Sequence, residues 1–595
     1  MNSIKSLYQL IIHHLRTRIT RVQFIMVIAT LTGFVSGILA VLLKTIVHYL
    51  QHWVKNIPPV QFSYLFFPVA GLLLAVFLAR RLFSDEIEKG IAMVLKAIAR
   101  RSSFIPLKHV YAHIMLSSVT VGLGGSVGLE APIVATGSAA GSNLGRITDF
   151  NYRERTLLIA CGAAAGIAAV FNAPIAGVIF AVEVLLTESV VSYFIPLMIS
   201  SVMGALCSRI ILKEASLFNF VLQQSFNYHN VPFYMLMGVL TGFVSLYYAY
   251  AFKAVEHRIH HLPSNPYIKA IAGGLVLLVL CFIFPPLFGE GYDSVKRVAN
   301  AIPDQGIQHS TLFSWMGAEW GLIVFTALVV LAKPLAAGFT IGAGGNGGNF
   351  APSLFTGAYL GYFFSKLANS TPWVRIPEGN FSLVGMAGVL SGVMYCPLTA
   401  IFLIAEITNG YELFIPLMIV SSISFFIVKT YEPYSMETKK LASLGHIFTH
   451  QKEKNILTSI SLDEMLEDTY ESIGMNAGFP ELVELIRKSD KNIFAVHDEK
   501  QRFAGIIELN DIKQKIFEPE KFRNLQVKAL MKRPPALLYE DQPMQQVMEQ
   551  FDITQSWWLP VLDREQHFSG FISKTRVFNK YREIISQQGD IYETP

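Results

Sequence analysis

Long apolar runs separated by short polar stretches fill the chain from about residue 22 to about residue 429. The run at 24–43 is long enough to span a bilayer core as one helix. The runs at 270–284 and 321–332 are shorter, and they predict tilted, interrupted or partly buried helices. The pattern therefore predicts an α-helical polytopic membrane protein.

The pattern changes after about residue 450, where charges become frequent and apolar runs shrink to strand length. Helical patterns alternate with these runs, which predicts an α/β domain over residues 441–595. The basic pair Lys439–Lys440 follows the last span and predicts a cytoplasmic tail. The predicted strands are 492–498, 502–508, 557–563 and 567–573, and the predicted helices are 480–489 and 544–553.

Composition supports this assignment, since 52% of the 595 residues are hydrophobic and only 15% are charged, against roughly 25% in soluble domains. Basic residues beside the spans account for the net charge of +5, so we expect no nucleic-acid partner.

Residues 1–21 predict a basic amphipathic helix, and its arginines predict a cytoplasmic N-terminus in an inner or plasma membrane. The four cysteines show no CxxC spacing, so neither a disulfide nor a metal site is expected.

The membrane part repeats itself. Residues 128–141 align with 348–361 at an offset of 220, and residues 162–183 align with 385–406 at an offset of 223. Two separate blocks at nearly one offset indicate a duplication, with repeats at about 22–210 and 230–440 inside a membrane domain of residues 22–440. Duplicated halves with glycine- and proline-interrupted segments are typical of transporters, whose substrate site lies where broken helices meet.

Each block begins Gly-x-x-Ala-Pro, which predicts a loop followed by a helix start at membrane depth. A helix N-terminus carries unpaired N–H groups and about half a positive charge, so it can bind an anion, provided that it lines a cavity. Glu130 lies at the first helix start, where its carboxylate could occupy the anion site and leave when an anion arrives. The alternative is a helix-capping glutamate, but Phe350 in the second copy shows that such a helix start needs no carboxylate.

These blocks resemble the signature motifs of the CLC chloride channel and transporter family. Members carry Gly-Lys/Arg-Glu-Gly-Pro and Gly-x-Phe-x-Pro, which here correspond to residues 128–132 and 348–352. The tail looks like the pair of CBS domains found in many members. The resemblance implies a homodimer in the lipid bilayer, inverted repeats, one pathway per subunit for small inorganic anions, chloride by default, and no required cofactor.

The resemblance also implies roles for particular residues. Glu130 matches the gating glutamate, and Tyr434 matches a tyrosine whose hydroxyl binds the central anion, although an interfacial aromatic residue is the alternative. Lys89 replaces a serine of the family and would place a charge on the path, unless it is a loop lysine that reaches the interface. The implied anion-binding residues are Gly128, Lys89, Gly348, Asn349, Phe350, Ala351 and Tyr434.

Val184 occupies the place where proton-coupled members carry an inner glutamate. Glu183, which matches Glu406 of the second repeat, is interpreted as structural, but it and Glu188 are the possible substitutes for a proton relay. We therefore favour a passive, channel-like pathway, with a proton-coupled exchanger as the alternative.

In the tail, Asp511 and Ser573 keep parts of a nucleotide site, but Glu508 and Arg576 depart from it. Adenine nucleotide binding is therefore doubtful, and a purely structural tail is the alternative.

Two other classes of protein fit poorly. An intramembrane enzyme would need a polar constellation such as paired aspartates or a His/Glu metal cluster, and most of the 15 histidines lie outside the spans. A cation transporter would want carboxylates or carbonyls at its site rather than two helix N-termini.

Overall fold

The computed structural model describes residues 18–56, 63–83, 90–99, 103–186, 193–212, 224–262, 265–300, 318–408, 410–439, 460–467, 469–518 and 520–586. The chain forms two compact units, residues 1–446 and 447–595. This division agrees with the change of pattern after the last apolar run. Each unit is therefore described by itself.

The first unit is helical, as the apolar runs predict. Many of its helices are joined by short turns. Its α-helices in the described residues are Arg21–Lys55, Phe67–Phe83, Gly90–Ala99, Lys108–Gly122, Glu130–Ile147, Tyr152–Phe171, Pro174–Phe180, Phe194–Leu212, Val231–His260, Pro266–Ile283, Tyr292–Ala299, Ala318–Gly342, Phe350–Asn369, Glu378–Met394, Pro397–Ile407 and Phe414–Tyr431.

The helix Arg21–Lys55 starts at a capping box, in which the side chains of Thr20 and Gln23 each accept a hydrogen bond from the other residue's backbone N–H. Its 35 residues span about 52 Å, more than the ~30 Å of a bilayer core, so this helix must tilt or extend beyond the core. Arg21 pairs with buried Glu154 at 2.6 Å and so fixes the helix start.

Within the described ranges, seven helices are long and apolar enough to cross a membrane. They differ in burial: 94% of the apolar stretch of Tyr152–Phe171 is buried within the protein, against 28% of that of Pro266–Ile283. The first therefore lies inside the helical bundle, whereas the second presents most of its surface to the surroundings.

The apolar run at 321–332 belongs to a longer helix than its length predicts. The helix Ala318–Gly342 continues past the run through Lys333 and Pro334. Lys333 has no exposed surface, and its ammonium group donates to Ser126 Oγ at 2.9 Å and to the Gly289 carbonyl at 3.3 Å. The lysine ends the apolar run without ending the helix, because these partners replace its hydration.

Glycines let the helices of each repeat touch backbone to backbone. A Cβ on Gly137 would collide with the carbonyl of Gly162, and a Cβ on Gly357 would collide with that of Gly385. The two pairs occupy equivalent places at the repeat offsets of 220 and 223. Small residues at helix crossings are typical of membrane bundles, and here the duplication preserves the crossing in both halves.

Equivalent residues of the two repeats also pair with each other. Gly128 and Gly348 form an antiparallel bridge, with both N–H···O=C hydrogen bonds at 2.9 Å. The N–H of Ser126 donates to Thr340 Oγ1 at 3.2 Å, and the N–H of the equivalent Asn346 donates to Thr120 Oγ1 at 3.0 Å. Such reciprocal pairs indicate a local two-fold axis between the repeats, as the inverted repeats implied by the resemblance possess.

The second unit contains two small sheets with one shared topology. The strands are β1 Leu466–Glu467, β2 Ser472–Gly474, β3 Ile493–His497, β4 Phe503–Glu508, β5 Leu538–Tyr539, β6 Trp558–Leu562 and β7 Phe568–Ser573. Strands β2 and β3 are parallel and β4 is antiparallel to β3, while β5, β6 and β7 repeat this arrangement and β1 adds to β7. The helices are Leu462–Met465, Phe479–Lys488, Leu509–Ile516, Met544–Thr554 and Lys574–Ser586.

Each sheet has its own apolar core, one around Phe479 and Val496 and the other around Phe551 and Val561. The four predicted strands and both predicted helices are confirmed within one or two residues at each end. The repeated topology shows that the tail is built from two similar α/β halves.

Candidate functional site: two helix starts that meet inside the membrane unit

The site is formed where the helices Glu130–Ile147 and Phe350–Asn369 begin, next to the bridge between Gly128 and Gly348. Glycine is required at both bridge positions. A Cβ on Gly128 would lie 2.8 Å from Ala351 Cβ and would collide with the Glu130 carboxylate, and a Cβ on Gly348 would collide with Ala131. The bridge therefore holds both helix N-termini at close approach, and each Gly-x-x-Ala-Pro motif is followed by a helix start.

Glu130 is almost completely buried, with 1% of its surface exposed. The Tyr292 hydroxyl donates to its Oε1, and the N–H groups of Ala351 and of Glu130 itself face the carboxylate. The carboxylate thus lies at the N-terminus of the opposite helix, Phe350–Asn369. It sits where an anion would be held by the same N–H groups and by the positive end of the helix.

An aromatic cluster joins Tyr292, which bonds to this carboxylate, to Phe350 at the start of the opposite helix. The Phe350 ring lies 5.6 Å from Phe171 and 6.2 Å from Phe180, and Phe171 packs edge-on against Tyr292 at 6.4 Å between ring centroids. Apolar rings near a buried charge lower the local dielectric. Interactions of the N–H groups with a charge are therefore stronger here than in solvent.

Asn349 precedes the Phe350 helix, with 6% of its surface exposed. Its Oδ1 accepts a hydrogen bond from the hydroxyl of Tyr248 at 3.1 Å, and Tyr248 itself is fully buried. The sequence did not single out Tyr248, because a tyrosine in an apolar helix is usually a packing residue. The structure makes it the tyrosine that orients the Asn349 side chain.

Tyr434 lies in the turn after the helix Phe414–Tyr431 and is half-buried. Among the hydrogen bonds of the described residues, none joins its hydroxyl to Asn349 or Phe350. The predicted role of Tyr434 as an anion ligand therefore stays a prediction. Lys89 and Glu188, the other two predicted polar residues near the path, lie outside the described residues.

Glu183 lies in a π-helical turn, Ala181–Leu185, that continues the helix Pro174–Phe180. Its carboxylate accepts hydrogen bonds from the N–H of Leu398 at 3.1 Å and from the N–H and hydroxyl of Thr399 at 2.8 Å. These groups belong to the N-terminus of the helix Pro397–Ile407, so Glu183 caps the equivalent helix of the other repeat.

Glu406 makes the reciprocal contact. Its carboxylate accepts from the N–H groups of Ile175 at 3.0 Å and Ala176 at 2.7 Å, at the start of the helix Pro174–Phe180. The repeat offset of 223 relates Ile175 to Leu398, the residue that Glu183 binds. The pair therefore locks the two repeats together, as the interpretation of both as structural carboxylates requires.

A second charged cluster lies beside Glu130. The carboxylate of Glu290 faces the N–H of Leu129, and the charges of Glu130, Lys44 and Lys333 act on it. The Lys333 ammonium group also lies 4.6 Å from the ring of Phe355. Sequence reasoning missed this cluster, although a lysine inside an apolar run was a signal that could have found it.

In the tail, Asp511 and Glu508 both bind Lys532, at 2.8 Å and 3.1 Å. Burial alone would lower the pKa of Lys532, but the hydrogen bonds that its ammonium group donates to Asp511 and Glu508 outweigh this effect and hold that pKa above its usual range. Ser573 is buried, and its Oγ accepts from the N–H of Arg576 at 3.4 Å. Both residues of the predicted nucleotide site are thus engaged within the protein.

Weak nucleotide binding is the expected consequence. A ribose hydroxyl would have to displace the Lys532 ammonium from Asp511, a charge-assisted contact stronger than the neutral one that replaces it. We expect AMP to bind the purified protein with a Kd of about 1 mM or weaker in calorimetry. Micromolar binding that Asp511→Asn abolishes, and that Asp541→Asn leaves intact, would contradict this expectation.

Comparison with known proteins identifies the family. The family model described as voltage gated chloride channel matches residues 71–429, and the CBS domain model matches residues 527–583. A putative chloride channel protein, ClcB-like, of Ralstonia nicotianae is 27% identical over 357 residues, which cover 59% of this chain and 79% of the relative. An uncharacterized protein of Methanocaldococcus jannaschii is 28% identical over 412 residues, 68% of this chain and 92% of its own length.

A solved structure, that of a slow cyanobacterial Cl⁻/H⁺ antiporter, is similar in fold, with a TM-score of 0.59 at 21% identity over 71% of this chain and 97% of that one. The channel-family match covers more than half of the chain, and the helical unit with inverted repeats has the architecture that the resemblance implies. This protein therefore belongs to the voltage gated chloride channel (CLC) family of multi-pass membrane anion transporters, with a CBS domain in its tail.

Proposed function

We propose that this protein conducts chloride or a similar small monovalent anion passively, through a path in each subunit of a homodimer that Glu130 gates. The observation that carries the proposal is the place of the Glu130 carboxylate, buried at the N-terminus of the Phe350 helix and bonded by Tyr292. A mobile anion and this carboxylate would compete for the same N–H groups, so one must leave before the other binds.

The surroundings of the site support an anion rather than a cation. Two helix N-termini converge there, and the buried Lys333 amino group donates to Ser126, two residues before Gly128. Among the predicted ligands, Asn349, Phe350 and Ala351 lie at the start of the second helix, and their backbone N–H groups would bind the anion. The N–H groups of Gly128 and Gly348 are bonded to each other's carbonyl, so these two glycines would shape the site rather than bind the anion. The aromatic cluster around Glu130 suits a weakly hydrated monovalent ion.

The residues at the expected position of the inner proton relay favour passive flux. Val184 cannot titrate, and the carboxylate of the adjacent Glu183 accepts hydrogen bonds from the N–H groups of Leu398 and Thr399. A proton that reached Glu183 would break these bonds and uncap a helix. A proton-coupled exchanger is the second candidate, because a protein of similar fold is described as a Cl⁻/H⁺ antiporter.

The test is a joint record of anion and proton flux. The purified protein in liposomes should carry chloride down its gradient while the internal pH, read with a trapped dye, stays constant after the membrane potential is clamped with valinomycin and K⁺. Empty liposomes and liposomes with an unrelated membrane protein are the controls. Sustained proton movement against its own gradient, driven by chloride, would overturn the passive proposal and establish the exchanger.

A further inference from the structure

Glu437 is a carboxylate that the proposed path does not yet use. It lies in the turn that follows the helix Phe414–Tyr431 and is half-buried. Its Oε2 is 3.7 Å from the position that a Cβ of Gly90 would take, and its carboxylate accepts a hydrogen bond from the N–H of Ala92. The carboxylate therefore rests on the first turn of the helix Gly90–Ala99.

This arrangement resembles that of Glu130. Glu130 faces the N–H of Ala351 in the first turn of one helix, and Glu437 accepts from Ala92 in the first turn of another. In both cases a carboxylate from a distant part of the chain occupies N–H groups that have no partner within their own helix. Gly90 adopts a positive φ of 74°, which turns the chain into this helix start.

A buried tyrosine lies within the electrostatic reach of Glu437 and is bonded to the Glu130 site. The charge of Glu437 acts on Tyr248, whose hydroxyl donates to Asn349 Oδ1 at 3.1 Å. Asn349 directly precedes the Phe350 helix, and the fourth residue of the motif, Ala351, faces Glu130. The charge of Glu437 therefore acts on the tyrosine that is bonded to Asn349, next to the helix start that Glu130 occupies.

The charged groups around Glu437 come from two elements. On the helix Val231–His260, Lys253 attracts the carboxylate and Glu256 repels it, and these two also pair with each other at 2.8 Å. In the segment that carries Glu437, Lys439 forms a salt bridge with Glu432 at 2.8 Å. Lys89 precedes Gly90 in the chain and lies outside the described residues.

Burial raises the pKa of the Glu437 carboxyl above its ordinary value, the charge of Glu256 raises it further, and Lys253 and the Ala92 N–H act in the opposite direction. The protonated form is therefore reached at a higher pH than for a free glutamate. Such a group can respond to mildly acid conditions at its face of the membrane.

We propose that Glu437 is a second gating carboxylate, which competes with anions for the N-terminus of the helix Gly90–Ala99 at the membrane face where the tail leaves. This inference rests on the proposed function of the Glu130 path. Ionised, Glu437 occupies the Ala92 N–H and repels anions that approach Tyr248 and Asn349. When it binds a proton from the adjacent water, its charge is lost, the N–H is released and anions can enter.

The test compares the response to pH at the two faces. In liposomes whose protein orientation is scored by protease access to residues 447–595, chloride flux through the wild type should rise about threefold or more when the pH at the tail face falls from about 7.5 to about 5.5, as expected for one titrating group. Glu437→Gln should give the high flux at both pH values. Glu432→Gln, in the same segment, should keep the wild-type response.

A wild-type response to tail-face pH in Glu437→Gln overturns the inference. If that variant does not elute as a folded protein, Glu437→Asp decides: a shifted midpoint supports a gating carboxylate, and an unshifted one overturns it. Glu130→Gln in the same vesicles separates this inference from the proposed function. If chloride flux is absent, or if Glu130→Gln does not change it, the proposed path is wrong. If Glu130→Gln changes the flux as expected but Glu437→Gln has no effect, only the second gate is wrong.

Discussion

Replacing Glu130 by Gln should raise chloride affinity. It should also remove most of the pH dependence of flux on the side of the membrane from which Glu130 is protonated. Gln has nearly the same shape as the protonated glutamate, and its carbonyl can still accept from the Tyr292 hydroxyl. It carries no charge to compete with an anion for the Ala351 N–H. Two unit charges 4 Å apart interact by about 4 kcal/mol at an effective dielectric of about 20, before desolvation is subtracted.

The net gain will be smaller, and we expect a rise in chloride affinity of about tenfold, or about 1.4 kcal/mol. Calorimetry with chloride in detergent measures the affinity, and flux from liposomes at several pH values measures the gating. Tyr292→Phe is the matched control, because it removes the hydrogen bond and keeps the carboxylate. Unchanged affinity together with an unchanged pH response in Glu130→Gln would remove Glu130 from the gate.

The helix starts at the site were predictable because their signal is local. Gly-x-x-Ala-Pro occurs twice at one offset, and each copy is followed by a helix, Glu130–Ile147 or Phe350–Asn369. The bridge between Gly128 and Gly348 was not predictable in the same way. An offset relates two segments in sequence, but it does not say whether they run in the same or in opposite directions in space.

The partners of the site residues were harder still to predict. Tyr292 and Tyr248 reach Glu130 and Asn349 from helices that carry no recognisable motif, at separations of 162 and 101 residues. An apolar neighbourhood makes a tyrosine look like a packing residue, and only the fold shows which hydroxyl finds a polar partner. Tyr434 illustrates the converse, since the motif around it suggested a ligand whose hydroxyl makes no described bond to the site.

The tail was predictable for a different reason. Its strands Ile493–His497 and Trp558–Leu562 are short apolar runs bounded by polar turns, and each is followed by a strand that returns beside it. The pairing follows from these short connections. The ion pair between Asp511 and Lys532 did not follow, because the lysine lies beyond the helix that carries Asp511.

The reciprocal caps bear on the choice between channel and exchanger. Glu183 and Glu406 each bind the N-terminus of the helical segment that carries the other, so a merely structural role predicts that the two carboxylates matter equally. A proton relay predicts unequal effects of the two substitutions. In inverted repeats the equivalent position faces the other side of the membrane, so a relay at one position has no counterpart at the other. Substitutions at the two positions therefore separate the two roles.

We expect Glu183→Ala and Glu406→Ala to destabilise the protein to a similar extent, by about 1–3 kcal/mol each, because each leaves two backbone N–H groups at a helix start without a partner. Thermal unfolding in detergent, followed by size-exclusion chromatography, measures the loss, with the exposed Glu412→Ala as the neutral control. Chloride flux per folded protein should change little in either variant, and proton flux should stay at the level of the wild type. A Glu183→Ala protein that melts like the wild type but loses a proton flux that Glu406→Ala retains would make Glu183 a relay, and the transporter an exchanger.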